Sequence, residues 1–173
     1  MMQRWIFPIV VGGLLCAGAY QATLIATPFA LMRIAINRLS TSGAVNEFSH
    51  GKMATAANQP IVRPSPDLAY SNCVFDVSKG PVLIDIAPVP NHYWSVSIFD
   101  ARTDVAAVRS DRDTGGKPAR LALFGEGQTA PAGYEAVPLK HDRGIALIRI
   151  LLANPKEFAG VDAIRRQSRC KAG

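Results

Sequence analysis

A chain of 173 residues that is 49% hydrophobic and carries a net charge of +6 has room for one domain and a short additional segment. The charge excess is thinly spread, and its one dense group lies at the C-terminus, where a basic last helical turn is expected; the chain therefore lacks the clustered basic face of a nucleic-acid-binding protein. The three cysteines form no C-x-x-C pair and no cluster with histidine, which argues against a metal site.

The opening segment is strongly apolar. No charged residue occurs between Arg4 and Arg33. A short flank of residues 1–4 therefore precedes a stretch, 5–27, that meets the requirement of about 20 apolar residues for a transmembrane helix. The alternative is a cleaved signal peptide with its cleavage site at residues 17–19. Because the apolar run continues well past that site, the sequence favours an uncleaved anchor.

Residues 28–40 carry apolar side chains at every third or fourth position, which is typical of an amphipathic helix. Thr27 and Pro28 resemble a helix start, with an N-cap followed by a first-position proline. The pattern predicts a second helix that lies on the bilayer surface or packs on a partner helix. The alternative is the kinked end of one long helix, and the sequence does not decide between them. The apolar stripe consists of Ile25, Phe29, Met32, Ile36 and Leu39.

The remainder divides into a predicted linker, residues 41–65, and a predicted domain, residues 66–173. Short alternating apolar runs separated by turn residues predict a mainly β domain, of the β-sandwich or jelly-roll type, with one C-terminal helix that begins at Asn154 and Pro155. The first two strands are expected to form a hairpin, and the last is apolar enough to be central. The predicted strands are 70–77, 82–87, 93–99, 104–109, 120–124, 134–139 and 144–152.

Two cysteines fall within the predicted domain. Cys73 lies in a predicted strand and Cys170 lies near the C-terminus. In an oxidising compartment the two could form a disulfide. The alternative is that Cys73 is a small buried hydrophobe and Cys170 a loose terminal thiol.

Catalytic motifs are missing from the sequence. It contains no G-x-S-x-G elbow, P-loop, H-E-x-x-H or G-x-G-x-x-G motif, so the sequence identifies no catalytic residue, and no cofactor or bound metal is expected. One group of polar residues at predicted strand ends could form a pocket at a sandwich edge, although the same carboxylates could simply fix a turn by side-chain hydrogen bonds to the backbone. The group comprises Asp67, Tyr70, Asp100, Arg102 and Asp104.

Five segments carry, in order, a resemblance to a known family. They are Pro66-Asp67-Leu68-Ala69-Tyr70-Ser71, Phe75-Asp76-Val77, Lys79-Gly80-Pro81-Val82, Tyr93-Trp94-Ser95-Val96 and Phe99-Asp100-Ala101 with Thr103-Asp104. Together they resemble the DUF1254 domain from about Ile61 to Arg169. The resemblance implies a bacterial envelope protein with a β-sandwich-like domain. Longer relatives join this domain to a DUF1214 domain, so a separate DUF1214-type chain is the partner that the resemblance implies.

These observations favour a membrane-anchored envelope protein without enzymatic activity. We expect a single pass through the bacterial inner membrane, a periplasmic β-domain, and pairing with another envelope protein. The alternative is a small-ligand-binding or hydrolytic domain that uses the polar group at the sandwich edge.

Overall fold

A computed structural model of the chain describes residues 3–41, 43–55 and 64–173. The described part consists of one long helix followed by nine strands and two short helices, with a 3₁₀ turn at Pro155–Glu157. The helices are α1 (Gln3–Ser40), α2 (Asp111–Thr114) and α3 (Phe158–Arg165). The strands are β1 (Phe48–His50), β2 (Leu68–Asp76), β3 (Val82–Ile86), β4 (Trp94–Asp100), β5 (Val105–Ser110), β6 (Ala119–Phe124), β7 (Glu135–Pro138), β8 (Arg143–Leu151) and β9 (Arg169–Ala172).

The strands form two sheets that enclose one core. The larger sheet has the order β1-β2-β8-β4-β5 and is antiparallel throughout, whereas the smaller has the order β7-β6-β3-β9, with β6 and β7 parallel. The mainly β class, the central place of β8 and the short C-terminal helix are therefore confirmed. Core side chains alternate along each strand, because successive residues point to opposite faces of a sheet. They include Phe75, Val82, Ile84, Trp94, Ile98, Leu121, Leu123 and Ile148.

The predicted hairpin between the first two strands is wrong. β2 lies between β1 and β8 in the larger sheet, so neither of its edges is free for β3. The turn after Val77 instead carries the chain across to the smaller sheet, where β3 pairs with β6 and β9. Gly80 adopts a φ of 148° in this turn, and its N–H donates to the Val77 carbonyl at 3.1 Å. The turn chemistry was correctly identified, but it serves a crossover between sheets.

Part of the predicted linker belongs to the domain. β1 pairs with β2 in the register Phe48↔Cys73. Just before β1, Asn46 forms two hydrogen bonds with Asp76, the last residue of β2. The Asn46 Nδ2 donates to the Asp76 carbonyl at 3.2 Å, and the Asp76 N–H donates to Asn46 Oδ1 at 2.8 Å. Three residues are too few to show a strand pattern in sequence, and only pairing with β2 defines them. Residues 56–63 of the predicted linker lie outside the described part.

The two sheets are joined covalently. Cys73 in β2 and Cys170 in β9 form a disulfide whose Cα atoms are 6.5 Å apart, and both side chains are buried. The bond closes a separation of 97 residues. In the chain-entropy model a loop of that length stabilises the folded state by about 4 to 5 kcal/mol relative to the reduced chain.

A buried arginine ties α3 to the larger sheet. Arg165 is only 1% exposed, and its guanidinium donates to the carbonyls of Gly51 and Tyr70 and to the Asp162 carboxylate. Burial lowers the pKa of Arg165, and the ion pair with Asp162 offsets part of that effect. The expected basic last helical turn is present, since Arg165 lies in the last turn of α3. Its side chain is nevertheless part of the packing between α3 and β2, because it is long enough to reach inward to the carbonyls of Gly51 and Tyr70.

Candidate functional site

The long N-terminal helix is the feature that most distinguishes this chain from an ordinary β-sandwich. α1 is continuous from Gln3 to Ser40, with Pro28 inside it, so the one-long-helix alternative describes the structure. Among the described residues, the segment Ile6–Ser40 is the one stretch long and apolar enough to cross a membrane by length and composition. An N-terminal signal sequence satisfies the same description. The exposed large apolar side chains of α1 include Ile6, Phe7, Ile9, Val10, Leu14, Leu15, Leu24, Ile25 and Leu31.

The last three turns of α1 are seated on the chain's own sheet. Met32, Ile36 and Leu39 are buried against Val74 of β2 and Ile145 of β8, with Ala35 and Phe99 at the margin. This cluster is separate from the sandwich core, since Val74 and Ile145 alternate with inward-facing residues. The C-terminal part of the apolar stripe thus packs on the outer face of the larger sheet and not, as we expected, on the bilayer surface or on a partner helix, because that face offers an apolar surface of its own. The first two residues of the stripe, Ile25 and Phe29, remain exposed. We call the five buried residues of this cluster the helix seat.

Asp100 organises the bend that lies beside the helix seat. Its Oδ1 accepts hydrogen bonds from the backbone N–H groups of Arg102 (2.8 Å) and Asp104 (3.1 Å). Its Oδ2 lies 3.0 Å from Nδ1 of His141. The His141 ring in turn meets the ring of Phe29 edge to face, with centroids 5.3 Å apart. A buried carboxylate thereby connects the bend after β4 to α1.

This carboxylate–imidazole pair has the appearance of a catalytic dyad but lacks the remaining parts. No hydroxyl or thiol of a described residue is hydrogen-bonded to His141, and no group of three metal-ligating side chains occurs in the described ranges. A nucleophile within hydrogen-bond reach of the base is the geometric requirement for covalent catalysis. Within the described residues, the pair therefore connects the bend after β4 to α1.

The five polar residues predicted to form a pocket do not meet. Because β2 and β4 both run antiparallel to β8, they are parallel to each other, and the start of one lies far from the end of the other. Tyr70 is in register with Arg149, whereas Asp100 is in register with Gly144, five positions or about 17 Å along β8. Asp67 and Tyr70 therefore lie at one end of the sheet, and Asp100, Arg102 and Asp104 lie at the other.

The individual partners of these residues fit the turn-fixing alternative. The Tyr70 hydroxyl accepts a hydrogen bond from the Ser65 N–H at 2.9 Å and not from any member of the group. Arg102 and Asp104 form an ion pair at 3.9 Å, and both side chains are more than half exposed. An exposed pair at that distance contributes little to stability.

The outer face of the larger sheet has a second half, around Arg149 and away from the helix seat, which we call the open half. Sequence reasoning did not single out this arginine. Arg149 of β8 donates to the Ser97 hydroxyl at 3.1 Å, but its buried Nε–H has no acceptor in the described part of the chain. No carboxylate among the described residues lies within ion-pair distance of it. Val108 (44%) and Leu151 (46%) are exposed apolar residues on the same face of the sheet. The signal available in sequence was a single charge inside an otherwise apolar strand.

Comparison with known proteins fixes the family of the chain. A model of the family described as "Protein of unknown function (DUF1254)" matches residues 45–172. The chain belongs to the DUF1254 family. The match begins at residue 45 and so includes β1, earlier than the start expected from the sequence segments. No curated protein matches the sequence.

Two solved structures share the DUF1254 fold. The VPA0106 protein from Vibrio parahaemolyticus is similar with a TM-score of 0.67 and 16% identity over 86% of this chain. An uncharacterised protein from Burkholderia cenocepacia is similar with a TM-score of 0.52 and 15% identity over 75% of this chain. In both cases the match covers 35% of the other protein's chain. This DUF1254 protein therefore corresponds to about a third of each neighbour.

Proposed function

We propose that this DUF1254 protein is a membrane-tethered binding module of the bacterial envelope. In this proposal α1 spans the inner membrane once, and the β-domain is held at the periplasmic surface, where it pairs with a second envelope protein of the DUF1214 type. The module acts by binding and assembly rather than by catalysis.

The proposal of a membrane tether rests on the division of α1 into two parts. From Ile6 to Leu31 the helix has large exposed apolar side chains, and from Met32 onward one face of the same helix is buried on the sheet. Twenty-six helical residues extend about 39 Å, which exceeds the hydrocarbon thickness of about 30 Å. Since the helix seat follows the apolar part without a flexible joint, the domain would lie directly against the bilayer surface. A cleavable leader has no need of such a seat on the mature domain.

Two further observations bear on which side of the membrane the domain faces. The basic residues Arg33 and Arg38 lie beyond the span and do not by themselves favour export, although that rule weakens when a whole domain follows the helix. The disulfide between Cys73 and Cys170 favours it, because disulfides persist in oxidising compartments such as the periplasm and are rare in the cytosol.

The open half of the outer face supports a protein partner. Each structural neighbour has additional chain beyond the matched third, which would be supplied here by a separate polypeptide. Arg149 is half-buried among Ser95 and Ser97 and has no counter-ion in the described residues. A partner carboxylate on Arg149, surrounded by contacts to Val108 and Leu151, would satisfy the guanidinium. Charge-assisted, bidentate arginine–carboxylate pairs are among the stronger polar contacts.

Affinity purification from detergent-solubilised membranes tests this proposal, with Arg149→Gln and Arg143→Gln compared side by side. Arg143 is the matched control, because it lies in the same strand but is already paired with Asp76 at 3.1 Å. We expect a DUF1214-type chain to co-purify with the unmodified protein and with Arg143→Gln, and to be lost with Arg149→Gln. Recovery of the lone chain, or equal recovery with both variants, would contradict the pairing.

A further inference from the structure

We propose that one corner of the β-domain, beside the point where α1 reaches the larger sheet, rests in the headgroup layer of the bilayer and binds phospholipid there. We call it the lipid-facing corner, and it consists of Phe29 and Arg33 of α1, Val105 of β5, and Lys140 in the loop before β8. The inference rests on the proposed membrane span of α1 and deepens it, because it names the surface of the domain that touches lipid.

An apolar row crosses the larger sheet at the helix seat and ends at an exposed residue. The row consists of Val74, Ile145, Phe99 and Val105, each in register with the next. Residues in register point to the same face of a sheet, so all four lie on the outer face. α1 packs against the first three, whereas Val105 is 56% exposed. The apolar row therefore extends one strand beyond the helix that covers it.

The contacts of α1 show the side from which the helix reaches the sheet. The Phe29 ring meets the ring of His141, which is hydrogen-bonded to Asp100 at the end of β4. Shortly after the helix ends, the Asn46 N–H donates to the Val74 carbonyl of β2 at 2.8 Å. α1 therefore crosses the sheet from the β4 side toward β2. The earlier part of the helix leaves the domain on the side of β5, next to the exposed end of the apolar row.

The length of α1 places this corner at the surface of the membrane. A hydrocarbon core of about 30 Å takes about 20 helical residues, so a span that begins at Ile6 ends near Ile25. Phe29 lies one helical turn beyond, at the depth of the headgroups, and its contact with His141 brings the adjoining loop and bend to the same depth. Val105 directly follows that bend, so its exposed side chain meets the boundary between headgroups and acyl chains.

The charges of the lipid-facing corner complement the phosphate groups of phospholipids. Arg33 and Lys140 are exposed, and neither has a carboxylate within ion-pair distance in the described ranges. The residues outside those ranges contain no aspartate or glutamate. Asp104, the acid beside Val105, is already paired with Arg102 at 3.9 Å. Basic side chains next to a membrane-spanning helix are attracted to anionic lipid, and long ones reach the headgroups.

Lipid is favoured over a protein as the occupant of this corner because of continuity. Ile25 is 59% exposed and Phe29 is 37% exposed, so the apolar surface of the membrane-spanning part of α1 continues to the corner. A protein bound there would have to enter the headgroup layer and displace the lipid that surrounds α1. The lipid-facing corner is therefore an extension of the surface that already contacts the bilayer.

Nitroxide spin labels on the full-length protein in nanodiscs of phosphatidylcholine and phosphatidylglycerol test the position of the corner. A Cys16→Ser background has no free thiol, because the other two cysteines form the disulfide. One label is placed at Val105→Cys. The matched control is Leu151→Cys, which is 46% exposed on the same face about 20 Å along β8 from the apolar row. We expect the first label within about 5 to 10 Å of the boundary between headgroups and acyl chains, and the second in water.

A label on the native Cys16 separates this proposal from the tether itself. If Cys16 is embedded in lipid while the label at residue 105 is as accessible to an aqueous nickel reagent as the label at residue 151, the lipid-facing corner is wrong and the tether stands. If Cys16 is exposed to water, both are wrong. A label at residue 105 that is shielded from nickel and from oxygen alike is covered by protein, which would also overturn the proposal.

Lipid selectivity tests the two cations of the corner. Lys140→Gln is compared with Lys156→Gln, which removes an exposed lysine beyond the far end of β8. The motionally restricted fraction of spin-labelled lipid gives the preference for phosphatidylglycerol over phosphatidylcholine. We expect it to fall about fivefold, or about 1 kcal/mol, in Lys140→Gln and by a similar factor in Arg33→Gln, and to stay unchanged in Lys156→Gln. Equal preference in the two lysine variants would overturn the assignment of lipid phosphate to this corner.

Discussion

The outer face of the larger sheet has two halves that are built from the same three strands and treated differently by the fold. At one end, Val74, Ile145 and Phe99 are covered by the last turns of α1. At the other end, Arg149 lies beside the buried Ser95 and Ser97 and has no counter-ion in the described residues. Within the described residues, α1 thus packs on the apolar half, whereas the guanidinium in the other half has no ion-pair partner, which is the arrangement expected of a surface used by another molecule.

We expect the largest effect from a substitution at Gly144, where β8 and β4 are too close to admit a side chain. Such a change should disrupt both halves of the outer face, because β8 and β4 belong to both. A Cβ added at Gly144 would lie 2.0 Å from the Phe99 carbonyl oxygen and 2.5 Å from Phe75 Cζ, distances that real atoms do not adopt. Gly144→Ala should therefore abolish folding. In Gly160→Ala, where nothing lies within 4 Å, stability should instead rise by about 0.5 to 1 kcal/mol. Circular dichroism and denaturant titration of the two variants check this, and a stable Gly144→Ala protein would show that the strands can separate.

The disulfide should support both halves equally, since it lies on the inner side of the sheet. In Cys73→Ala/Cys170→Ala we expect the free energy of unfolding to fall by about 4 kcal/mol, because the unfolded chain is no longer constrained by a loop of 97 residues. Unfolding of the full-length protein in detergent, with and without reductant, measures the effect. Reductant should not alter the variant, and an unmodified protein insensitive to reductant would contradict the bond.

A pair of substitutions compares the two halves directly. Ile36→Ala empties part of the helix seat and should lower the free energy of unfolding by about 2 to 4 kcal/mol. Arg149→Met should change it by less than about 1 kcal/mol, or raise it, because an unpaired half-buried guanidinium contributes no ion pair within the chain. Denaturant titrations of both variants provide the measurement. If Arg149→Met proved the more damaging change, the guanidinium would have a structural role and the open half would lose its interpretation.

Part of the fold could be predicted because the signals are local. The apolar length of α1, the continuous apolar run of β8 and the Asn154–Pro155 helix start each depend on neighbouring residues only, and Asn154 indeed accepts from the Lys156 N–H at 2.9 Å. β1 and the crossover after β2 were missed, since which strand pairs with which depends on distant parts of the chain. The predicted pocket failed for the same reason, because the pairing of β2 and β4 with β8 places Tyr70 and Asp100 at opposite ends of the sheet.

The site could be predicted least of all. The sequence shows Arg149 as a charge in an apolar strand. Its lack of a counter-ion can be seen only from the positions of the carboxylates in the folded structure. Trp94 of β4 and Asp111 of α2 each have a buried polar atom without a partner in the described residues, and no spacing in sequence indicates this.

The smallest expected effect concerns pH, on the side of β2 where α3 packs. Burial lowers the pKa of His50 below its ordinary 6.5, and the charges of Arg165 and Arg166 lower it further. The unfolded chain then binds the proton more readily than the folded chain. The free energy of unfolding is therefore highest above about pH 6.5 and declines as the pH falls from there toward the pKa of His50 in the folded state. His50→Gln should flatten this decline, as measured by thermal unfolding between about pH 7 and pH 5.

A second, lower pH window tests the same packing. Burial alone would raise the pKa of Asp162, but hydrogen bonds from Arg166 and Arg165 outweigh it and hold the pKa below 3.8. Its contribution to stability is therefore present above that pH and lost as the pH falls toward the folded pKa. Asp162→Asn should remove this part of the acid sensitivity while the window near His50 persists, whereas an unchanged acid limb would contradict the assignment.

The intact mass of the protein that remains in alkali-washed membranes tests the tether most directly. The account predicts a full-length chain in the membrane fraction, two hydrogens lighter than the reduced form because Cys73 and Cys170 are joined. A chain that begins near Tyr20 and is recovered in the aqueous fraction would contradict it.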